Sequence, residues 1–410
     1  MRLLTYLVAV LAMVIALSSA AECGVTVFEP SISIGEEYDD NVYLAPDNKT
    51  ADYITHVIPS IHAAYSAPLW DWSLFYAYDY RYYAKDSYKD DHPQRLDLLS
   101  TTRMVKDLLF LDVRDNYGRT SLSAVQNFTQ QSLVKNLTDY NIFDVNPYTV
   151  LQLTSSLTLT AGYHYLNVWY KDPSAINQIV HSVYGDLARS VAARTSLTAQ
   201  VRYDGTVTSV SNQYRTTFLV GARYEYQEGS LLWGSIGAIK TSSSGSTTGT
   251  QPAWEAGIIH TRPTLTLSIE TGRTYIQDPL LIDRREDRYI AALRIGKERT
   301  NGGISIGLRN YGEERYLDSR RYSTAVDFSH FLTERTQARY ALFIDRYEQY
   351  PTYAPNTTTV VYITDVRLDY HASESTVVSL NYVYTDSYSP DIFINCYKVN
   401  RVLIEAKKSF

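Results

Sequence analysis

The amino-acid sequence predicts an all-β chain folded as a single antiparallel transmembrane β-barrel of about 20 strands, within about 18–22, with long extracellular loops and short periplasmic turns. Three observations lead there. Apolar and polar residues alternate with a period of two from about residue 25 to the C-terminus, as in a strand whose two faces meet different surroundings. Very short turns alternate with longer polar loops, the rhythm of hairpins in a membrane-crossing barrel. Tyrosine supplies 37 of 410 residues against 11 Phe and 5 Trp, and its amphipathic ring suits a surface that is apolar in the middle and wet at its rims.

Met1-Arg2, the apolar run Leu3 to Leu17 and the small residues Ser19-Ala20-Ala21 form the pattern of a cleaved export signal over 1–21, leaving 22–410 as the barrel. Glu22 directly precedes Cys23, so the lipidation pattern is missing. Alternation is clear from Asp71 to Ala84, where Trp72, Leu74, Tyr76, Tyr78, Tyr80 and Tyr82 oppose Ser73, Phe75, Ala77, Asp79 and Arg81. It recurs at Leu157–Tyr165, Thr217–Tyr226 and Val360–Tyr370. Each stretch can cross a bilayer as a tilted strand of about 9–11 residues.

Turns are expected at Ala67-Pro68, Lys106-Asp107, Ser155-Ser156, Ala192-Ala193, Glu228-Gly229, Arg262-Pro263, Thr300-Asn301, Thr333-Glu334 and Ser373-Glu374. Longer polar loops are expected at 40–52, 85–94, 118–140, 242–251, 277–285, 312–319 and 349–358. Val402, Ile404, Ala406 and the terminal Phe410 share one face, an arrangement that resembles the signal read by the outer-membrane barrel assembly machinery. A soluble secreted β-solenoid or propeller would need a repeat of fixed length, and none is visible.

A barrel of this size encloses water unless something fills it. The polar partners of the apolar faces are the candidate pore-lining residues: Asp79, Arg81, Arg202, Arg215, Arg223, Glu225, Arg288, Arg294, Arg309, Arg339, Asp365 and Arg367, with Asp204 and Asp327 on the same pattern. Arginine dominates, which predicts a wall that concentrates anions or acidic sugars. The competing reading is a mixed-sign lattice that braces the wall. If the arginines set selectivity, Arg→Glu changes at Arg223, Arg339 and Arg367 shift ion preference toward cations.

Other chemistry is thin. The net charge of −6 and the scattered cations leave no footprint for nucleic acid. Glu36-Glu37-Tyr38-Asp39-Asp40-Asn41 lacks the spacing of a calcium loop and reads as a solvated rim, as does Asp283-Arg284-Arg285-Glu286-Asp287. The eight histidines form no metalloprotease pair, and no nucleophile elbow, phosphate loop or haem motif occurs. No catalytic residue, metal site or cofactor is expected. Only His92, beside Asp90 and Asp91, imitates a rim active site. Cys23 and Cys396 fall at opposite ends of the wall, too far apart for a disulfide.

Glu37-Tyr38-Asp39-Asp40-Asn41-Val42-Tyr43-Leu44, then Asp52-Tyr53-Ile54-Thr55, Val57 and Pro59, resemble a proteobacterial family of outer-membrane barrels, the β-barrel porin-2-like proteins. The entry Asn400-Arg401-Val402 into a last strand ending at Phe410 agrees in style. The resemblance implies an outer-membrane setting, in several members beside exopolysaccharide export and exosortase-type sorting loci. It carries over no functional residue. Two function classes follow. One is a porin-like channel passing solutes or exopolysaccharide, with outer-membrane lipid, the assembly machinery and export components as partners. The other is a non-conducting scaffold around a partner, either polysaccharide export machinery or a cytochrome conduit. A rim hydrolase using His92 is the third and thinnest.

Overall fold

The computed structural model describes residues 24–122, 137–243, 249–276, 284–313, 316–351, 355–392 and 395–410. The candidate signal 1–21, Cys23 and Asp283 lie outside the described residues.

The strands follow one another as hairpins. The first are β1 (Val25–Asp39), β2 (Asp52–Ser66), β3 (Trp70–Tyr78), β4 (Tyr80–Tyr83), β5 (Gln94–Val105), β6 (Leu109–Ser121) and β7 (Leu137–Thr154). Then come β8 (Leu157–Tyr170), β9 (Gln178–Ala192), β10 (Thr195–Thr208), β11 (Asn212–Gln227), β12 (Ser230–Ser243), β13 (Gly249–Arg262) and β14 (Leu265–Ile276). The last are β15 (Arg284–Lys297), β16 (Thr300–Glu313), β17 (Tyr316–Phe331), β18 (Thr336–Gln349), β19 (Thr357–Ser373), β20 (Thr376–Tyr388) and β21 (Tyr397–Ser409).

Every pairing is antiparallel, and all described strands belong to one sheet. β3 and β4 both pair with β2 and are parted only at Asp79, so they act as one stave of a 20-stave wall. The wall closes where β1 pairs β21 from Ser31↔Ser409 to Asp39↔Arg401, and the Phe410 amide donates to the Pro30 carbonyl at 2.9 Å. Closure removes the two sheet edges that an open sheet of this size would expose.

Most strands run 13 to 18 residues, longer than the ~9–11 needed to cross hydrocarbon. The β16–β17 connection illustrates this. A loop over 312–319 is expected, yet strand reaches Glu313 and resumes at Tyr316. The short turns are close to expectation. Those at Ala67-Pro68, Lys106-Asp107, Ser155-Ser156, Glu228-Gly229 and Thr333-Glu334 lie between strands, with Asp107 and Gly229 at positive φ, where aspartate and glycine are best tolerated. Others move: Lys297↔Thr300 pairing puts the turn at Glu298-Arg299 and not at Thr300-Asn301. Smaller shifts put the remaining turns at Ala193-Arg194, Pro263-Thr264 and Glu374-Ser375.

The two faces separate cleanly over the middle of the wall. Val183, Val201, Phe218, Ile236, Ile304 and Ile306 are exposed, Ile236 by 70%. Aliphatic surface spread around a whole molecule in this way needs lipid to cover it. The opposite parity holds the buried charges, among them Asp204, Arg321, Asp345 and Asp369.

Candidate functional site

Because antiparallel partners share a face, strand register decides which residues look inward. Ser182, Asp204 and Arg215 are mutual partners across β9, β10 and β11, and Arg202 lies two residues from Asp204 on the same side. Arg223 pairs Ser196, and Glu225 shares its parity. Arg288 pairs Arg309, which pairs Arg321. Arg294 pairs Gly303, which pairs Asp327. Arg339 pairs Arg367, and Ala341 pairs Asp365. Arg81 pairs His56, and Asp79 bonds both. All twelve candidate residues therefore fall on the inward parity.

Many of these charges are already partnered. Asp204 accepts from Arg202 at 2.7 Å, from Arg215 at 2.9 Å and from Ser182 at 2.6 Å. Asp369 sits 2.7 Å from Arg367 and 3.2 Å from Arg339, and accepts from Ser379 at 2.7 Å. Asp79 takes Arg81 at 2.7 Å and the His56 Nδ1 at 2.9 Å. On β6 to β8, Asp144 holds the His164 Nε2 at 2.8 Å. The expected Arg-lined wall is thus in large part the mixed-sign lattice, and Arg339 and Arg367 share one carboxylate.

Among the candidates, three arginines stand apart. Arg223, Arg288 and Arg294 have no acid within ion-pair distance among the described residues, and the Arg288 Nε is buried without a partner. Arg321 was missed by the pattern reading, although it shares parity with Asp327 six residues on. His56 and Asp345 were missed as well, since they sit near strand ends where the alternation blurs; Asp369 is on the polar face expected over Val360–Tyr370, and Glu37 was expected in the first rim.

Two expected rims are corrected. Arg284, Arg285, Glu286 and Asp287 are buried, none more than 8% exposed. Arg284 reaches Asp318 at 2.5 Å and lies 4.8 Å over the Tyr311 ring; Asp287 takes Arg273 at 2.6 Å; Glu286 lies 3.7 Å from Arg309. Because β15 begins at Arg284, these charges have strand neighbours on both sides, from β14 and β16, which a loop would not have.

The second is the acidic stretch of the first loop. Asp39 caps the Asn41 amide at 2.7 Å, and Asn41 closes a turn with both backbone groups of Ala45 at 2.8 Å while donating to the Lys398 carbonyl at 3.1 Å. Asp40 accepts the backbone and side-chain donors of Asn400 at 2.8 and 2.7 Å. Asp52 accepts the amides of Tyr53, Lys85 and Ser87. The residues that carry the family resemblance at both chain ends thus meet as a clasp over the β1–β21 seam. The carboxylates of Asp39, Asp40 and Asp52 are occupied by backbone donors, and no metal-type group of His, Cys, Asp and Glu occurs among the described residues.

At the remaining rim, Asp91 pairs Arg119 and forms a backbone bridge with Arg81, Asp90 accepts from Tyr80 at 2.9 Å, and the His92 ring stacks on Tyr78. Cys396 is a free thiol whose sulfur donates to the Ser389 carbonyl at 3.1 Å.

No protein-family model matches the chain, and no curated protein matches it. Solved structures do. The FrpB iron transporter from Neisseria meningitidis (F5-1 variant) is similar over 93% of this chain and 82% of its own, with a TM-score of 0.54 at 8% identity. The ferric enterobactin receptor PfeA from Pseudomonas aeruginosa is similar over 93% and 81%, with a TM-score of 0.52 at 7% identity. At such identities the likeness is one of fold: this chain has the closed-barrel architecture of those transporters and receptors.

Proposed function

We propose that this chain is an outer-membrane barrel that passes polar solutes through its lumen by diffusion, without covalent chemistry. The observation that carries this reading is the sorting of the wall: charged and polar side chains on the enclosed parity, lipid-seeking aliphatics on the other. A 20-stave barrel has the girth for a water-filled interior, and a wall of paired charges is stable against water where an apolar interior would not be. That the similar structures are transporters and receptors supports a transport class. Exopolysaccharide or its fragments is the cargo that the family resemblance favours.

The test is swelling of liposomes holding the refolded protein, with neutral sugars of increasing size. Size-limited swelling is expected. No swelling from protein shown to be folded would favour the second reading, a scaffold around an export component or electron-transfer partner. The seam clasp gives that reading some support, since it braces the wall where it closes. Catalysis is not part of either reading: the rim around His92 presents stacking and ion pairs, and substitution of His92 is expected to change no hydrolytic activity.

A further inference from the structure

Arg288, Arg309 and Arg321 face one another directly across β15, β16 and β17. Like charges set opposite each other in a sheet are destabilising, so a row of three guanidinium groups favours any anion that can settle between them. Compensation is partial. Asp345 holds the Arg321 Nε at 2.8 Å, whereas Glu286 approaches Arg309 only to 3.7 Å. Arg288 has no acid at ion-pair distance among the described residues, and its Nε is buried and unpartnered. On the other side of Arg288, β14 offers Gly272 in register. Glu270, one step further down, pairs Ile290.

The row also has space beneath it. The next two inward rows toward the periplasm are Ile290–Gly307–Ser323 and Ala292–Ser305–Ala325, five of six being small. Below them stand Arg294, Gly303 and Asp327. Above the row, Glu286 pairs Tyr311 and Arg284 lies over the Tyr311 ring, while Tyr347 sits in register with Arg321 at the end of the row itself, Tyr311 and Tyr347 being buried. The result is a shallow inward trough whose head is a row of guanidinium forks.

We propose that this trough is an oxyanion-binding station on the lumenal wall, taking the carboxylate or phosphate group of a passing solute, with Arg288 and Arg309 as its binding residues. Planar guanidinium forks match such groups bidentately. Positive charge that its neighbours only partly compensate concentrates anions beside the wall. Arg321, held by Asp345, positions the row and contributes its field.

The proposal rests on the solvated lumen, so its test has an arm that needs no conduction. Inorganic phosphate, glucuronate and glucose are titrated by calorimetry into detergent-folded protein, and against single-channel current in planar bilayers. Phosphate or glucuronate is expected to bind and to interrupt the current, with glucose doing neither. Arg288→Gln and Arg309→Gln are each expected to raise the dissociation constant about ten-fold or more, the loss of one charge-assisted contact, and Arg288→Lys less. Binding of phosphate alone, or of glucuronate alone, identifies the group that the row prefers. Calorimetric binding with this arginine dependence but no current would keep the station and remove the diffusion pore. Equal binding of glucose, unchanged affinity in both Gln variants with heat-modifiable gel mobility retained, or no anion binding to folded wild type would overturn the station.

Discussion

Asp204 and Asp369 each hold two arginines and a serine, so each carboxylate is worth more to the wall than its single charge indicates. Its side chain is 3% exposed in both cases. Asp204→Asn leaves Arg215, itself only 15% exposed, without its partner's negative charge. A loss of about 1–3 kcal/mol is expected, read as a lower urea midpoint for unfolding from detergent. Adding Arg215→Gln is expected to recover part of that loss, because the positive charge that Asp204 balanced is then removed too; strict additivity would contradict the account. These partners were only half legible in the sequence. Alternation put Arg202, Asp204 and Arg215 on one face correctly, since parity needs only local pattern. Which arginine meets which acid depends on register, and register depends on turn position. Had the β15–β16 turn lain at Thr300-Asn301, as the sequence led one to expect, Arg288 would have faced Glu313, and the arginine row would not exist.

The hairpins themselves were readable because each stave meets lipid on one side and a polar interior on the other. Their ends were not. The pattern that marks a strand is contrast between two surroundings, and it fades where both sides are protein or water. For that reason Arg284 to Asp287 resembled a solvated rim, although they form the buried start of β15. The seam was hidden for a different cause: Asp40 and Asn400 lie 360 residues apart in the chain, and only closure of the barrel unites them. Asp40→Ala removes two charge-assisted hydrogen bonds from this end of the seam, and Asn400→Ala, which keeps its backbone amide, removes one. A loss of about 1–2 kcal/mol is expected, with faster hydrogen exchange confined to β1, β21 and the first loop. Exchange that rises evenly around the wall would show that the clasp does not hold the seam.

For the whole molecule, the distribution of free and paired arginines moves the expected control of ion preference. Arg339 and Arg367 share Asp369 and are partly neutralised, whereas Arg288 is not. Charge reversal at Arg288 is therefore expected to shift reversal potential toward cations more than reversal at Arg339 or Arg367, with Arg223, unpaired near the turn end, having a mouth effect that salt screens readily. Fold class, closure and inward parity follow from the alternation and the tyrosine content; the cargo does not, because it depends on which charges remain unpaired after the lattice has formed. The most direct measurement is planar-bilayer conductance of the folded chain across a salt gradient. The account expects steady conductance with an anion preference that falls in Arg288→Glu. A folded barrel that carries no current, or one whose reversal potential is indifferent to Arg288, would contradict it.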